Sequence, residues 1–102
     1  MEIIWTKLAK ITYIEILENL NNRWTKKEIR SFTNLTNELL KNIQENKIMH
    51  PFVHNDLGIQ KSIIHKNVSL FYKKDTVANK IYLITFFNNR MSPEVLKRLL
   101  NT

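Results

Sequence analysis

Three histidines and a cluster of cations hold most of the chemical potential of this sequence. His50, His54 and His65 fall in or near one stretch of the second half, and imidazole is the side chain whose proton equilibrium lies closest to neutral pH. Lys61, Lys66, Lys73 and Arg90 lie on or beside the segments that follow. Cations at that density suit a phosphate- or carboxylate-rich partner, and Arg90 offers a planar donor fork that can grip either group in two places. Histidine beside such cations could meet the needs of RNA cleavage by 2′-hydroxyl attack. One group takes the proton, cations stabilise the charged phosphorane, and another group protonates the leaving oxygen. A solvated basic surface is the alternative for the cations, and plain surface placement the alternative for the histidines. No carboxylate accompanies the histidines at ligand spacing and cysteine is absent, so neither a metal nor a cofactor is expected.

The charge is unevenly placed. The chain has 102 residues and a net charge of +7. Residues 1–57 hold eight Lys or Arg against seven Asp or Glu. Residues 58–102 hold eight against two, Asp75 and Glu94. The length suits one domain spanning residues 1–102. No apolar run approaches the ~18 residues of a membrane span, and the first residues lack the layout of a signal peptide. A cytoplasmic protein without membrane contact is expected.

The elements that must position these groups follow from periodicity and caps. Ile3-Ile4-Trp5 predicts a short strand, and Thr6 caps a helix running to about Asn22. Its apolar stripe is Leu8, Ile11, Ile14 and Leu17, with Ala9, Tyr13, Ile16 and Leu20 beside it. Thr25-Lys26-Lys27-Glu28 is a capping-box pattern that opens a second helix to about Glu45. The stripe of that helix is Ile29, Phe32, Leu35 or Thr36, Leu39, Leu40 and Ile43. Residues 46–58 read as a loop. Ile59–Lys66, Val68–Lys74 and Ile81–Asn88 are rich in β-branched and aromatic residues and predict an antiparallel meander. Ser92-Pro93-Glu94 starts a last short helix to about Leu100. The expected class is α+β, in the order β-α-α-β-β-β(-α). A helical hairpin packs on one face of a twisted, mainly antiparallel four-stranded sheet, and the other face is left open. Trp5 and Trp24 are expected as core or hairpin-edge anchors. Phe86 and Phe87 should point to opposite faces, with one in the core.

On this pattern the sequence resembles the RelE/ParE toxin superfamily. The resemblance rests on Ile4-Trp5-Thr6 with Ala9, on Val68-Ser69-Leu70-Phe71-Tyr72 with Lys73, and on Ile81 to Phe87 followed by Asn88-Asn89-Arg90-Met91-Ser92-Pro93. It implies the toxin of a bacterial type II toxin–antitoxin system. A cognate antitoxin, encoded by the adjacent gene, would neutralise it in a hetero-oligomer. RelE-like members cut mRNA on the ribosome; ParE-like members poison DNA gyrase without catalysis. The family nucleases carry an Arg where this chain has Ser69, and a C-terminal Tyr that has no match beyond Arg90. Their paired basic residues fall near Gln60 and Ser62, or on Lys61 and Ile63 after a one-residue shift. These departures favour the ParE-like reading, with Lys61, Lys66, Lys73 and Arg90 binding the target. A RelE-like ribosome-dependent endoribonuclease, with Arg90 and His65 catalytic, is the second reading. A non-toxic nucleic-acid-binding domain is the third.

Overall fold

Thr6 joins the first strand, the first helix and the far end of the chain in one side chain. Its Oγ1 accepts from the Ala9 N–H at 3.1 Å, capping the helix, and donates to the Leu83 carbonyl at 2.7 Å. The computed structural model describes residues 1–47, 50–54, 56–65, 67–89 and 94, with the side chains of Leu20, Asn21 and His54 excepted. Within them lie β1 (Glu2–Trp5), α1 (Lys7–Asn21), α2 (Lys26–Gln44), β2 (Phe52–His54), β3 (Ile59–His65), β4 (Val68–Asp75) and β5 (Lys80–Asn88). Two helices pack on a mixed five-stranded sheet in the order β1-β5-β4-β3-β2. Only β1 runs parallel to its neighbour, β5; the other pairs are antiparallel. The α+β arrangement is the expected one. The fifth strand is not: β2 lies inside the segment read as a loop. Three residues following Pro51 are too few to show a period, and pairing with β3 alone defines them. Arg90, Lys66 and most of the expected last helix lie outside the described residues.

The capping box forms as read. Glu28 N–H donates to Thr25 Oγ1 at 3.2 Å, and Thr25 N–H to the Glu28 carboxylate at 3.3 Å. Past the end of α2, Asn46 takes a left-handed φ of 57°, a conformation asparagine tolerates better than most residues. The buried line of α2 is Phe32, Thr36, Leu40 and Ile43. Thr36 therefore takes the inner position rather than Leu35, and its hydroxyl is satisfied by the Phe32 carbonyl at 2.9 Å.

The inner face of α1 departs further from expectation. Ala9, Thr12 and Ile16 are buried, while Ile11 and Ile14 are 43% and 54% exposed. The helix is turned by a polar anchor. Thr12 Oγ1 donates to the Leu8 carbonyl at 2.8 Å and accepts from the Phe86 N–H at 3.0 Å. That amide needs a partner because the β4–β5 register slips beside it. Phe71 pairs with Thr85 but Tyr72 pairs with Leu83, which leaves Ile84 as the extra residue of a bulge. The bulge lets Leu83 and Phe86, three residues apart, both join the core against the helices.

That core contains Ala9, Ile16, Phe32, Leu40 and Ile43 from the helices and Val68, Leu70, Tyr72, Ile81, Leu83 and Phe86 from the sheet. Phe86 is stacked on Trp5 at 5.4 Å and tilted against Tyr13 at 4.8 Å. Both tryptophans pack against this core, as expected. Phe87 joins Ile59 and Phe71 in a second, smaller cluster on the opposite face. The expectation of an open second face is thus corrected for its apolar centre. Phe71 and Phe87 are 1% and 5% exposed, packed edge-to-face at 6.4 Å, with the Lys61 ammonium 5.9 Å over the Phe71 ring.

Candidate functional site

Strand alternation sorts the candidate residues by face. On β3, Gln60 and Ser62 turn toward the helices and are buried. Lys61 and Ile63 therefore turn to the outer face, which resolves the one-residue ambiguity of the sequence. Ile59 pairs with Lys73 and Lys61 with Phe71, so Lys61 and Lys73 are diagonal neighbours on that face. In an antiparallel sheet this diagonal spans roughly 7–8 Å. Two ammonium groups so placed can engage one phosphate or carboxylate. Tyr82, half-buried, lies directly across from Lys73 and adds a phenol that the sequence reading did not single out. Only the β4–β5 register reveals it. The tight turn at residues 76–79 sets that register, helped by Ala78 N–H donating to Asp75 Oδ1 at 3.0 Å and by a φ of 57° at Asn79.

Ser69, at the position where the resemblance expects Arg, is fully buried and donates to Asn89 Oδ1 at 3.1 Å. It supplies no cation.

His65 stands apart from the two lysines. A second register slip, between Ile63 and His65, pairs His65 with Val68, a core residue. The imidazole therefore lies on the helix side, 4.6 Å from the Trp24 ring. Its Nδ1 is buried and has no hydrogen-bond partner among the described residues.

His50 also lies away from the outer face, at the rim of the core. Its Nδ1 is 2.7 Å from Tyr72 Oη, and its carbonyl accepts from Gln60 Nε2 at 2.9 Å. Burial pushes the Tyr72 phenol up to about 12, with hydrogen bonding to His50 offsetting this only in part, so the phenol is the donor and neutral imidazole the acceptor. Burial, then the nearby Lys74 ammonium, lowers the His50 pKa. The consequence for stability has a definite sign. The unfolded chain begins to take up a proton near pH 6.5, while the folded chain resists until lower pH. Below about pH 6.5 the unfolded state binds more protons, so stability falls as pH falls. Melting temperatures should drop between about pH 7.5 and 5.5, and the drop should shrink in His50→Gln, which keeps an acceptor but cannot titrate. An equal drop in both proteins would assign the effect to other groups.

Beyond these groups, two shallow apolar grooves flank the helices. One is lined by Ile14, Leu17 and Ile29, the other by Leu35, Leu39, Ile63 and Ile64. Among the described residues, no three His, Asp or Glu side chains gather to hold a metal. No helix among them is long and apolar enough to cross a membrane.

No family model and no curated protein matches the sequence. Solved structures do match. A metal-bound toxin from Helicobacter pylori superposes with a TM-score of 0.63 and 14% identity, over 88% of this chain and 96% of that chain. A copper-bound, singly substituted toxin from Helicobacter pylori matches with the same values. The chain shares its fold with these structures. At this identity it is the backbone path that is shared, through nearly the whole of the other protein.

Proposed function

We propose that this chain is the toxin of a bacterial toxin–antitoxin pair, of the ParE-like kind, and that it arrests growth by binding DNA gyrase in the cytoplasm. The observation that carries this reading is the toxin fold, shared over 96% of the Helicobacter pylori protein. Binding is favoured over cutting by where the proton-transfer groups lie. His65 packs on Trp24 and His50 bonds to Tyr72, both away from Lys61 and Lys73. Lys61 and Lys73, with Lys66 and Arg90 in the same basic half of the sequence, supply positive charge for a target rich in acidic groups. The antitoxin reading draws on exposed apolar side chains. Ile11, Ile14, Leu35 and Ile63 are each at least 40% exposed, and a partner segment laid along the helices and the β3 edge would cover them.

Purified protein should inhibit supercoiling by purified gyrase at micromolar concentration, on the order expected for a specific interface. Co-purified product of the neighbouring gene should relieve the inhibition. Unimpeded supercoiling would eliminate gyrase as the target.

One observation favours a second reading, ribosome-dependent cleavage of mRNA. Tyr82 lies across from Lys73 and would supply the proton-transfer group that His50 and His65, turned to the helix side, do not. In this reading Arg90 is the cation that stabilises the phosphorane, and primer extension on translated mRNA should then show cuts that Arg90→Ala removes.

A further inference from the structure

The outward face of α1 carries its charges in the order that its own helix disfavours. Lys7 and Lys10 stand in the first turn and Glu18 in the last, with Glu15 one turn before it. No acidic residue occupies the first turn and no basic residue the last. A helix is positive at its N-terminus and negative at its C-terminus, so the terminal charges sit where they are repelled. Lys7 and Lys10 are also three residues apart, as are Glu15 and Glu18, which brings like charges together on the helix surface. All four side chains are exposed, and none forms an ion pair among the described residues.

Between these charges the same face is apolar. Lys7, Ile11, Ile14 and Glu18 follow one another in steps of four, three and four, so they form one stripe along the helix. It lies opposite the buried line of Ala9, Thr12 and Ile16, and both isoleucines are largely exposed. Toward α2 the stripe widens into the shallow groove where Ile14 and Leu17 meet Ile29.

The stripe is its own complement. Lys7 and Glu18 lie equally far on either side of the point between Thr12 and Tyr13, and so do Ile11 and Ile14. A second α1 laid antiparallel across that point sets Lys7 against the partner's Glu18 and Ile11 against the partner's Ile14. Two-fold symmetry makes each contact twice. The basic end of each helix then covers the acidic end of the other, which offsets the repulsion that both helices carry alone.

We propose that this chain forms a symmetric homodimer by packing α1 against α1 of a second copy, antiparallel, along Lys7, Ile11, Ile14 and Glu18. A helix of 15 residues is about 22 Å long. The contact is therefore at the small end of specific interfaces, and dissociation in the micromolar range is expected. Lys61 and Lys73 lie on the other face of the sheet and stay free in both copies. The dimer goes beyond the gyrase reading: it requires neither gyrase nor an antitoxin, and either proposal can fail alone. It competes with the antitoxin segment for Ile11 and Ile14 and leaves that segment Leu35 and Ile63.

Sedimentation velocity on the full chain, from about 1 μM to 1 mM, gives the test. The wild-type protein should pass from monomer to dimer across this range. Lys7→Glu should weaken the dimer by more than about tenfold, because it sets carboxylate against carboxylate at both ends of the stripe. Glu18→Lys should do the same with paired ammonium groups. Each variant places a charge that suits the helix dipole, so circular dichroism should show α1 intact and the loss cannot come from unfolding. An equal mixture of the two variants should dimerise about as well as wild type, since every facing pair is again opposite in sign. Ile14→Asp, at an exposed position, should abolish the dimer. A wild-type chain that stays monomeric at millimolar concentration would overturn the proposal. So would single variants that dimerise as wild type does, or a mixture no more dimeric than its components. A monomeric chain whose Ile14→Asp variant fails to co-purify with the neighbouring gene's product would assign the stripe to that partner instead and equally overturn it.

Discussion

Replacing Phe86 with alanine should destabilise the fold by about 3–5 kcal/mol, the usual range for truncating a fully buried aromatic side chain. Against a total stability of ~5–15 kcal/mol for a domain of this size, that is enough to leave a substantial unfolded fraction. The upper half of the range is the expected result, for two reasons. Phe86 is 1% exposed and contacts both Trp5 and Tyr13, so its loss opens a cavity between rigid rings that collapse poorly. Its amide is also the one held by Thr12, so the backbone beside the bulge is pinned and cannot relax into the space. Urea denaturation gives the measurement. A midpoint shift of about 2 M is expected from a slope of about 1–3 kcal/mol/M. A loss below 1 kcal/mol would mean that this aromatic group is not the keystone between α1 and the sheet.

The second large effect is on function. Lys61→Glu combined with Lys73→Glu should abolish growth arrest while leaving the fold intact. Lys73 is exposed, and Lys61 reaches the surface over Phe71, so neither ammonium is held inside the core. The pair changes the charge of the outer face by four units. If that face meets an acidic target, like charges brought together cost several kcal/mol, and each ~1.4 kcal/mol is a tenfold loss of affinity. A fall in potency of more than about a hundredfold follows, read as recovered colony counts on induction and as lost gyrase inhibition by the purified variant. Circular dichroism and melting should be nearly unchanged, since exposed charges contribute little to stability. Full toxicity in a folded double variant would move the working surface elsewhere, to the helices and the apolar grooves beside them.

What the sequence made legible was mostly local. Thr25 and Glu28 are three residues apart and satisfy each other's backbone within one helical turn, so no distant contact was needed to find that helix start. The meander was legible because β3, β4 and β5 are long enough to show β-rich composition and are joined by tight turns. The division between Phe86 and Phe87 followed from adjacency alone. The inner face of α1 was not legible. Isoleucines at positions 11 and 14 look like core, and a threonine looks like surface, until the amide that Thr12 must satisfy is known.

For the candidate site the division is sharper. By itself the sequence determined the α+β order of elements, the positive bias beyond Gly58 and the residue types available for chemistry. The tertiary structure decided which of them face one another. A strand's side chains alternate with period two, so one inserted residue exchanges the faces of everything after it. The slip at Ile63–His65 sends His65 against Trp24, while Lys61, just upstream, stays outside with Lys73. The slip at Ile84 brings Phe86 into the core and leaves Tyr82, before the slip, outside across from Lys73. At the Ile84 bulge the helix answers with Thr12, which accepts from the Phe86 amide, and no periodicity within a strand records either slip.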